Sequence, residues 1–179
     1  MKSTFLFFLA FSGYLFIFSS QDENADSVGS PKIRDGCNCT APCLNYYTYW
    51  NGYCYRGYMT NFYSADSADL KCMNDTISIG SIGHLVSIHS EFENAYLTGI
   101  IDNYSNDYLI GIHYTGGKWV AYDGTNFDFN KWDNGQPVDP DNLNCTKAMM
   151  IDGDFSYKWV TTACDDSTAY ICKYPARYY

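Results

Sequence analysis

Positive charge is scarce in this chain. Lysine and arginine together number 11 against 20 aspartates and glutamates, a formal net charge of -9 over 179 residues. A surface of that sign repels phosphate backbones and anionic lipid headgroups, so nucleic acid and membrane surfaces are poor partners for it. Histidine is scarcer still, at three. His84 and His89 flank the strand-like run Leu85 to Ile88 and so share no helical face as a zinc-protease pair would, and His113 has no cysteine or acid partner visible in the sequence. Cys-x-x-Cys pairs with spaced histidines are missing too; Cys37, Cys39 and Cys43 come closest, at the wrong spacing for a zinc knuckle. No internal repeat is found, and beyond the first 20 residues no apolar run is long enough to cross a bilayer. No two carboxylates stand out in distinct surroundings, as the acid and base of a glycoside hydrolase would, and the chain is read as non-catalytic.

What is present is an apolar leader and eight cysteines. Residues 1–20 carry Lys2 as their only charge and an almost unbroken apolar run from Phe5 to Phe18, the length of a signal-peptide core, with cleavage expected near Ser19 or Ser20. An uncleaved signal anchor is the rival reading. Residues 21–36 are polar and free of aromatic residues, and read as a flexible lead-in to one domain over 37–179. Eight cysteines in an exported chain are most simply disulfides. Four sequons agree with a secreted, extracellular glycoprotein: Asn38, Asn74, Asn103 and Asn144 each begin Asn-x-Ser/Thr. Cysteine follows Asn38 and Asn144, which makes them poorer acceptors once a disulfide closes, so Asn74 and Asn103 are preferred.

Local signals order the domain. Between Cys43 and Tyr58, Asn51-Gly52 separates two tyrosine-rich β-prone runs, which predicts a hairpin closed by Cys43 and Cys54. Ser64 to Met73 lacks Pro and Gly, offers Ser64 as a cap, and sets Ala65, Ala68 and Cys72 on one helical face. Gly83 to Ile88 suits a strand. Ser90-Glu91-Phe92-Glu93 is a capping box opening a helix from Glu91 to about Ile100, which accounts for Glu91 and Glu93 without catalysis. Short runs at Tyr108 to Ile112, Lys118 to Tyr122, Ala148 to Ile151, Lys158 to Val160 and Ala169 to Lys173 then read as strands. Asp123 to Asn144 has little periodicity, and an ordered irregular loop of that length is usually functional.

Several separated stretches resemble the C-type lectin-like domain in its long form. They are Cys43 with Cys54-Tyr55; Ser64 through Cys72; Gly83-His84-Leu85-Val86-Ser87-Ile88-His89-Ser90-Glu91-Phe92-Glu93-Asn94; Leu109-Ile110-Gly111-Ile112; Trp132 with Gly135-Gln136-Pro137; and Cys145, Trp159, Cys164 and Cys172. The resemblance covers about Cys43 to Pro175. It implies an α+β fold with two helices, two small antiparallel sheets and a long irregular loop. It also implies disulfides Cys43–Cys54, Cys72–Cys172 and Cys145–Cys164. The second would contribute roughly 4 to 5 kcal/mol on the chain-entropy model. Cys37 and Cys39 are left to pair with each other or to link two chains in a disulfide-bonded dimer.

Relatives that bind sugar hold calcium on the long loop, and such a hard cation needs about six to eight oxygens. The resemblance places the ligands at Gln136-Pro137-Val138, with the proline cis, at Leu143 just before Asn144-Cys145, and at the pair after Trp159. Val138, Leu143 and Val160-Thr161 stand where oxygen donors are expected. No metal at the usual site is therefore expected, and no cofactor. The leading function is recognition of an extracellular protein or glycan without calcium. One alternative is a calcium-dependent lectin using a shifted set, Gln136, Asp139, Asp141 and Asn142; another is a disulfide-linked structural or defensive secreted protein. Trp119, Trp132 and Trp159 are read as core, with Tyr114, Tyr122, Phe127 and Tyr157 open to ligand contact.

Overall fold

The computed structural model describes residues 42–101, 107–151 and 157–177. The expected leader, the 21–36 segment, Asn38, Asn103 and the pairing of Cys37 and Cys39 lie outside the described residues.

Strands β1 (Thr48–Trp50) and β2 (Tyr53–Tyr63) form the expected hairpin. Asn51 and Gly52 both take positive φ, 47° and 85°, the left-handed conformation that a two-residue turn requires and that Asn-Gly adopts most readily. Helix α1 (Ala65–Thr76) follows and buries Ala65, Ala68 and Cys72, whose small side chains let it lie close to the sheet. Ser64 stands at its N-cap, but the hydroxyl turns to Ser67 Oγ at 3.0 Å instead of a helix amide. The amide of Ala65 instead donates to the distant carbonyl of Cys164 at 2.9 Å.

Strand β3 (His84–Leu85) leads to helix α2 (Glu91–Ile101). Ser90 Oγ accepts from the Glu93 amide at 3.1 Å, while the Glu93 carboxylate reaches back to the amide of His89 at 2.9 Å, one residue earlier than a standard capping box. The remaining strands are β4 (Asp107–Thr115), β5 (Lys118–Ala121), β6 (Cys145–Met150), β7 (Tyr157–Thr162) and β8 (Thr168–Pro175). The order is β1-β2-β8-β4-β6-β7, with β3 on β8 and β5 on β4. The two expected antiparallel groups are joined by a short parallel pairing of β4 with β8, Tyr108 opposite Ala169 and Leu109 opposite Tyr170.

Period-two alternation distributes the core. Ile110, Ile112 and Ile171 pack with Leu97 and Ile101 of α2 and with Trp159 of β7, while Leu109, Tyr170, Cys172 and Tyr174 pack with Ala65, Ala68 and Cys72 of α1. All three implied disulfides are formed. Gly111 marks where β3 and β4 approach most closely: a Cβ there would stand 2.3 Å from the Leu85 carbonyl oxygen. Between α2 and the far strands, Lys173 and Glu93 form a buried ion pair at 2.7 Å, with Glu93 also accepting from the Tyr55 hydroxyl. Asn94 accepts from Trp159 Nε1 at 3.0 Å and donates to the Tyr157 carbonyl, which fixes β7 against α2.

Candidate functional site

Residues 123–144 connect β5 to β6 with little regular structure, and three sets of contacts hold this loop. The first is polar. Ser87 and Thr125 hydroxyls each donate to the Asp123 carboxylate at 2.5 Å, joined by the Thr125 amide at 2.9 Å. Burial alone would raise the carboxyl's pKa, but these donors hold it below the usual range. His89 spans the same cluster, Nδ1 lying 2.7 Å from Asp128 Oδ1 and Nε2 lying 3.1 Å from Ser87 Oγ. Serine, histidine and aspartate thus come into contact in the order of a hydrolytic triad. Ser87, however, has no exposed surface, and its proton is committed to Asp123. The cluster is an anchor between the loop and the β3–α2 junction.

The second set is aromatic. Phe127, Phe129 and Trp132 have ring centroids 6.5, 5.7 and 5.9 Å from Trp159, and Trp132 also meets Trp119 at 5.0 Å. Backbone bonds run beside them: Trp159 N donates to Lys131 O, and Asp133 N to Trp159 O. Lys131 also pairs with Glu91 of α2.

The third set closes the loop on β7. The Gln136–Pro137 peptide is cis, as the resemblance implies. Gln136 Oε1 accepts from both the amide and the hydroxyl of Thr161, each at 3.0 Å, and the same hydroxyl lies 3.0 Å from the Val138 carbonyl oxygen. Thr161, almost fully buried, therefore sits between these two oxygens and ties both to β7. Beyond it, Asp139 and Asn142 fold onto each other: Asn142 Nδ2 lies 3.0 Å from both carboxylate oxygens, and the Leu143 amide donates to Asp139 O at 2.7 Å.

The residues do not fit calcium at the usual place. Gln136 Oε1 and the Val138 carbonyl face protons of Thr161, while Leu143 and Val160 carry no side-chain oxygen. In the shifted set, Gln136 turns to Thr161 and Asp139 to Asn142, so the two halves serve different partners. Among the described residues no three histidine, cysteine, aspartate or glutamate side chains gather as a metal-binding group.

The other candidates separate clearly. Asp139, Asp141 and Asn142 are exposed on the loop with Pro137 and Val138. Gln136 is half-buried. Tyr122 is tied elsewhere: its hydroxyl donates to Asp66 of α1 at 2.7 Å and its ring lies against His113 at 4.3 Å. Burial, then the Asp66 bond, push its phenol well above the ordinary value. Phe127 is half-buried on the Trp159 side. Tyr157 corrects an expectation, because it is fully buried on β7 with its ring 5.3 Å from Tyr108 and cannot meet a ligand. An aromatic residue at the start of a strand reads alike from sequence whether it faces core or solvent. Tyr114 is half-buried against Trp119. Thr161 and His89 also hold the loop, a role that their spacing in the sequence does not report; a hydroxyl standing in the place expected of an acid is the one sign of it at Thr161.

Residues 61–174 match the family model of the Lectin C-type domain. Human lithostathine-1-beta is 25% identical over 187 residues, spanning 97% of this chain and 99% of that protein. The alpha-N-acetylgalactosamine-specific lectin of Patiria pectinifera is 30% identical over 148 residues, covering 75% of this chain and 82% of its own. Among solved structures, a calcium-independent type II antifreeze protein superposes with a TM-score of 0.64 at 26% identity, over 75% of this chain and 95% of that one.

Proposed function

The chain belongs to the C-type lectin domain family, and we propose that it is a secreted, non-catalytic recognition module whose long-loop face binds an extracellular protein or glycan without calcium. The observation that carries this reading is Thr161. Its hydroxyl and amide occupy the Gln136 side-chain oxygen and the hydroxyl meets the Val138 carbonyl, so protons supply what a divalent ion would supply in holding the cis-proline loop to β7. A loop fastened in this way is ready to bind before any ion arrives, and contact falls to the exposed Pro137, Val138, Asp139, Asp141 and Asn142. The calcium-independent relative supports a fold that stands without the ion. The sugar named for the Patiria lectin makes N-acetylgalactosamine the first glycan to try.

The test is a glycan array and a thermal melt, each run with calcium and with chelator. The expected outcome is a melting point and a binding profile that are the same in both buffers. A melting point that rises with calcium, together with sugar retention lost to chelator, would overturn the reading in favour of the shifted ligand set. A non-reducing gel of the secreted chain reads the proposed disulfide-linked dimer directly.

A further inference from the structure

Helix α1 turns Ala65, Ala68 and Cys72 to the core and leaves two large apolar side chains in water, Leu70 at 55% exposure and Ile77 at 69%. Asn74 stands between them, four residues after Leu70 and three before Ile77. Ile77, at the helix C-cap, keeps helical dihedrals of -60° and -33°, so this spacing sets Leu70 and Ile77 on one face, each within about 5–6 Å of Asn74 and on either side of it, and roughly 10 Å from each other. Asn74 opens the sequon Asn74-Asp75-Thr76. Its two companions turn inward: Asp75 accepts from Tyr58 and Lys71, and buried Thr76 accepts from the Gly83 amide at 2.7 Å. Asn74 is exposed. Asn144, the other described sequon asparagine, contrasts with it. It is half-buried, its Oδ1 lies 3.0 Å from the Cys164 sulfur, and its carbonyl accepts from the Tyr114 amide at 2.7 Å.

We infer that Asn74 carries an N-linked glycan whose first sugar lies over Leu70 and Ile77, and that Asn144 carries none. This rests on the proposed entry into the secretory pathway, where the modification is made. There the Asn74 side-chain nitrogen bonds to the anomeric carbon of an oligosaccharide carried on a lipid pyrophosphate; the carbon–oxygen bond to pyrophosphate breaks with its electron pair, and the amide proton passes to solvent. An N-acetylglucosamine ring presents C–H groups and an acetyl methyl on its flat sides and hydroxyls at its rim. It is therefore suited to cover two aliphatic side chains while keeping the helix face wet. Covered in this way, α1 offers no apolar patch for self-association.

The test expresses two forms in animal cells: the full chain, and residues 21–179 behind an unrelated export leader. Peptides from each are read by mass spectrometry after enzymatic glycan release in heavy-oxygen water, which marks each asparagine that carried a sugar. The expected result is a mark at Asn74 and none at Asn144. An unmarked Asn74 in exported protein overturns the inference while leaving secretion intact; a full chain that stays inside the cell while the second form is marked refutes the secretion reading and upholds the site. For the covering role, Asn74→Gln is compared with Asn74→Gln/Leu70→Ser/Ile77→Ser. The first should bind an apolar dye several-fold more strongly and sediment as larger species, and the triple variant should return to the glycosylated baseline. An Asn74→Gln protein that matches the glycosylated one in both readouts overturns that role.

Discussion

Replacing Thr161 by valine is the most direct probe of the loop clamp. The side chain keeps its shape and loses one hydroxyl, which stands 3.0 Å from Gln136 Oε1 and 3.0 Å from the Val138 carbonyl oxygen. A hydroxyl has a single proton, so one hydrogen bond is lost rather than two, a net cost of about 1 kcal/mol. Gln136 Oε1 keeps the Thr161 amide as donor, while the Val138 carbonyl loses the Thr161 hydroxyl. Val138 is exposed, so water can take the place of the lost donor and the cost stays at about 1 kcal/mol, or roughly 2 to 5 °C in melting temperature for a domain of this size. Circular dichroism melts of wild type and Thr161→Val, each with and without calcium, measure it, and amide exchange at Thr161 locates it. Calcium should rescue neither protein. Thr161→Asp supplies the converse: a carboxylate brought against two acceptor oxygens should cost more than valine in chelator, and calcium should recover part of that loss because the site then offers a cation three oxygens. A valine variant as stable as wild type would refute the clamp, as would a wild-type protein stabilised by calcium.

The buried pair of Lys173 and Glu93 makes Lys173→Met costly, by about 3 to 5 kcal/mol in urea denaturation, because Glu93 would keep its charge in a site with no counterion. Adding Glu93→Gln should recover part of this, since glutamine can still accept from the Tyr55 hydroxyl. Gly111→Ala drives a methyl group into the Leu85 backbone, which cannot swing aside, and should cost about 3 kcal/mol, read as a lower denaturant midpoint. The hydrogen bond that His84 donates to the Asp69 carboxylate raises the pKa of His84 above its ordinary 6.5. Its stabilisation is therefore full below pH 6.5 and lost as pH rises through the folded-state value; burial lowers the pKa of His113, which destabilises the fold as pH falls below 6.5. In stability measured against pH, His84→Asn should remove the gain on the acid side and His113→Phe the acid penalty; parallel curves for wild type and His84→Asn would contradict this.

The elements that sequence made legible are those whose signals are local. Asn51-Gly52 specifies its turn by backbone conformation alone, and the Ser90–Glu93 box opens α2 with contacts made within four residues. Cys72 and Cys172 are 100 residues apart, and their partnership came through family resemblance rather than local rules. Misreadings fall where the deciding partner is distant. Ser64 looked like a cap, but the first amide of α1 is met by Cys164; Tyr157 looked available, but α2 and Tyr108 enclose the start of β7.

Thr161 belongs to the same class and shows why the site was harder to read than the fold. As a donor to a metal it has little to offer, and counted against a ligand list it registers only as a loss. Its role depends on a hydroxyl and an amide on β7 meeting an amide oxygen 25 residues earlier in the chain and a carbonyl 23 residues earlier. Neither separation is periodic, so no hydrophobic pattern or capping rule reports it. The bond supply needed to hold the loop can be met by one divalent ion or by donors already on the strand, and a sequence that lacks the carboxylates has to be searched for the donors. By this reasoning, restoring the carboxylate at Thr161 alone should make the loop's stability depend on calcium before any sugar affinity returns, since Leu143 and Val160 would still supply no oxygen.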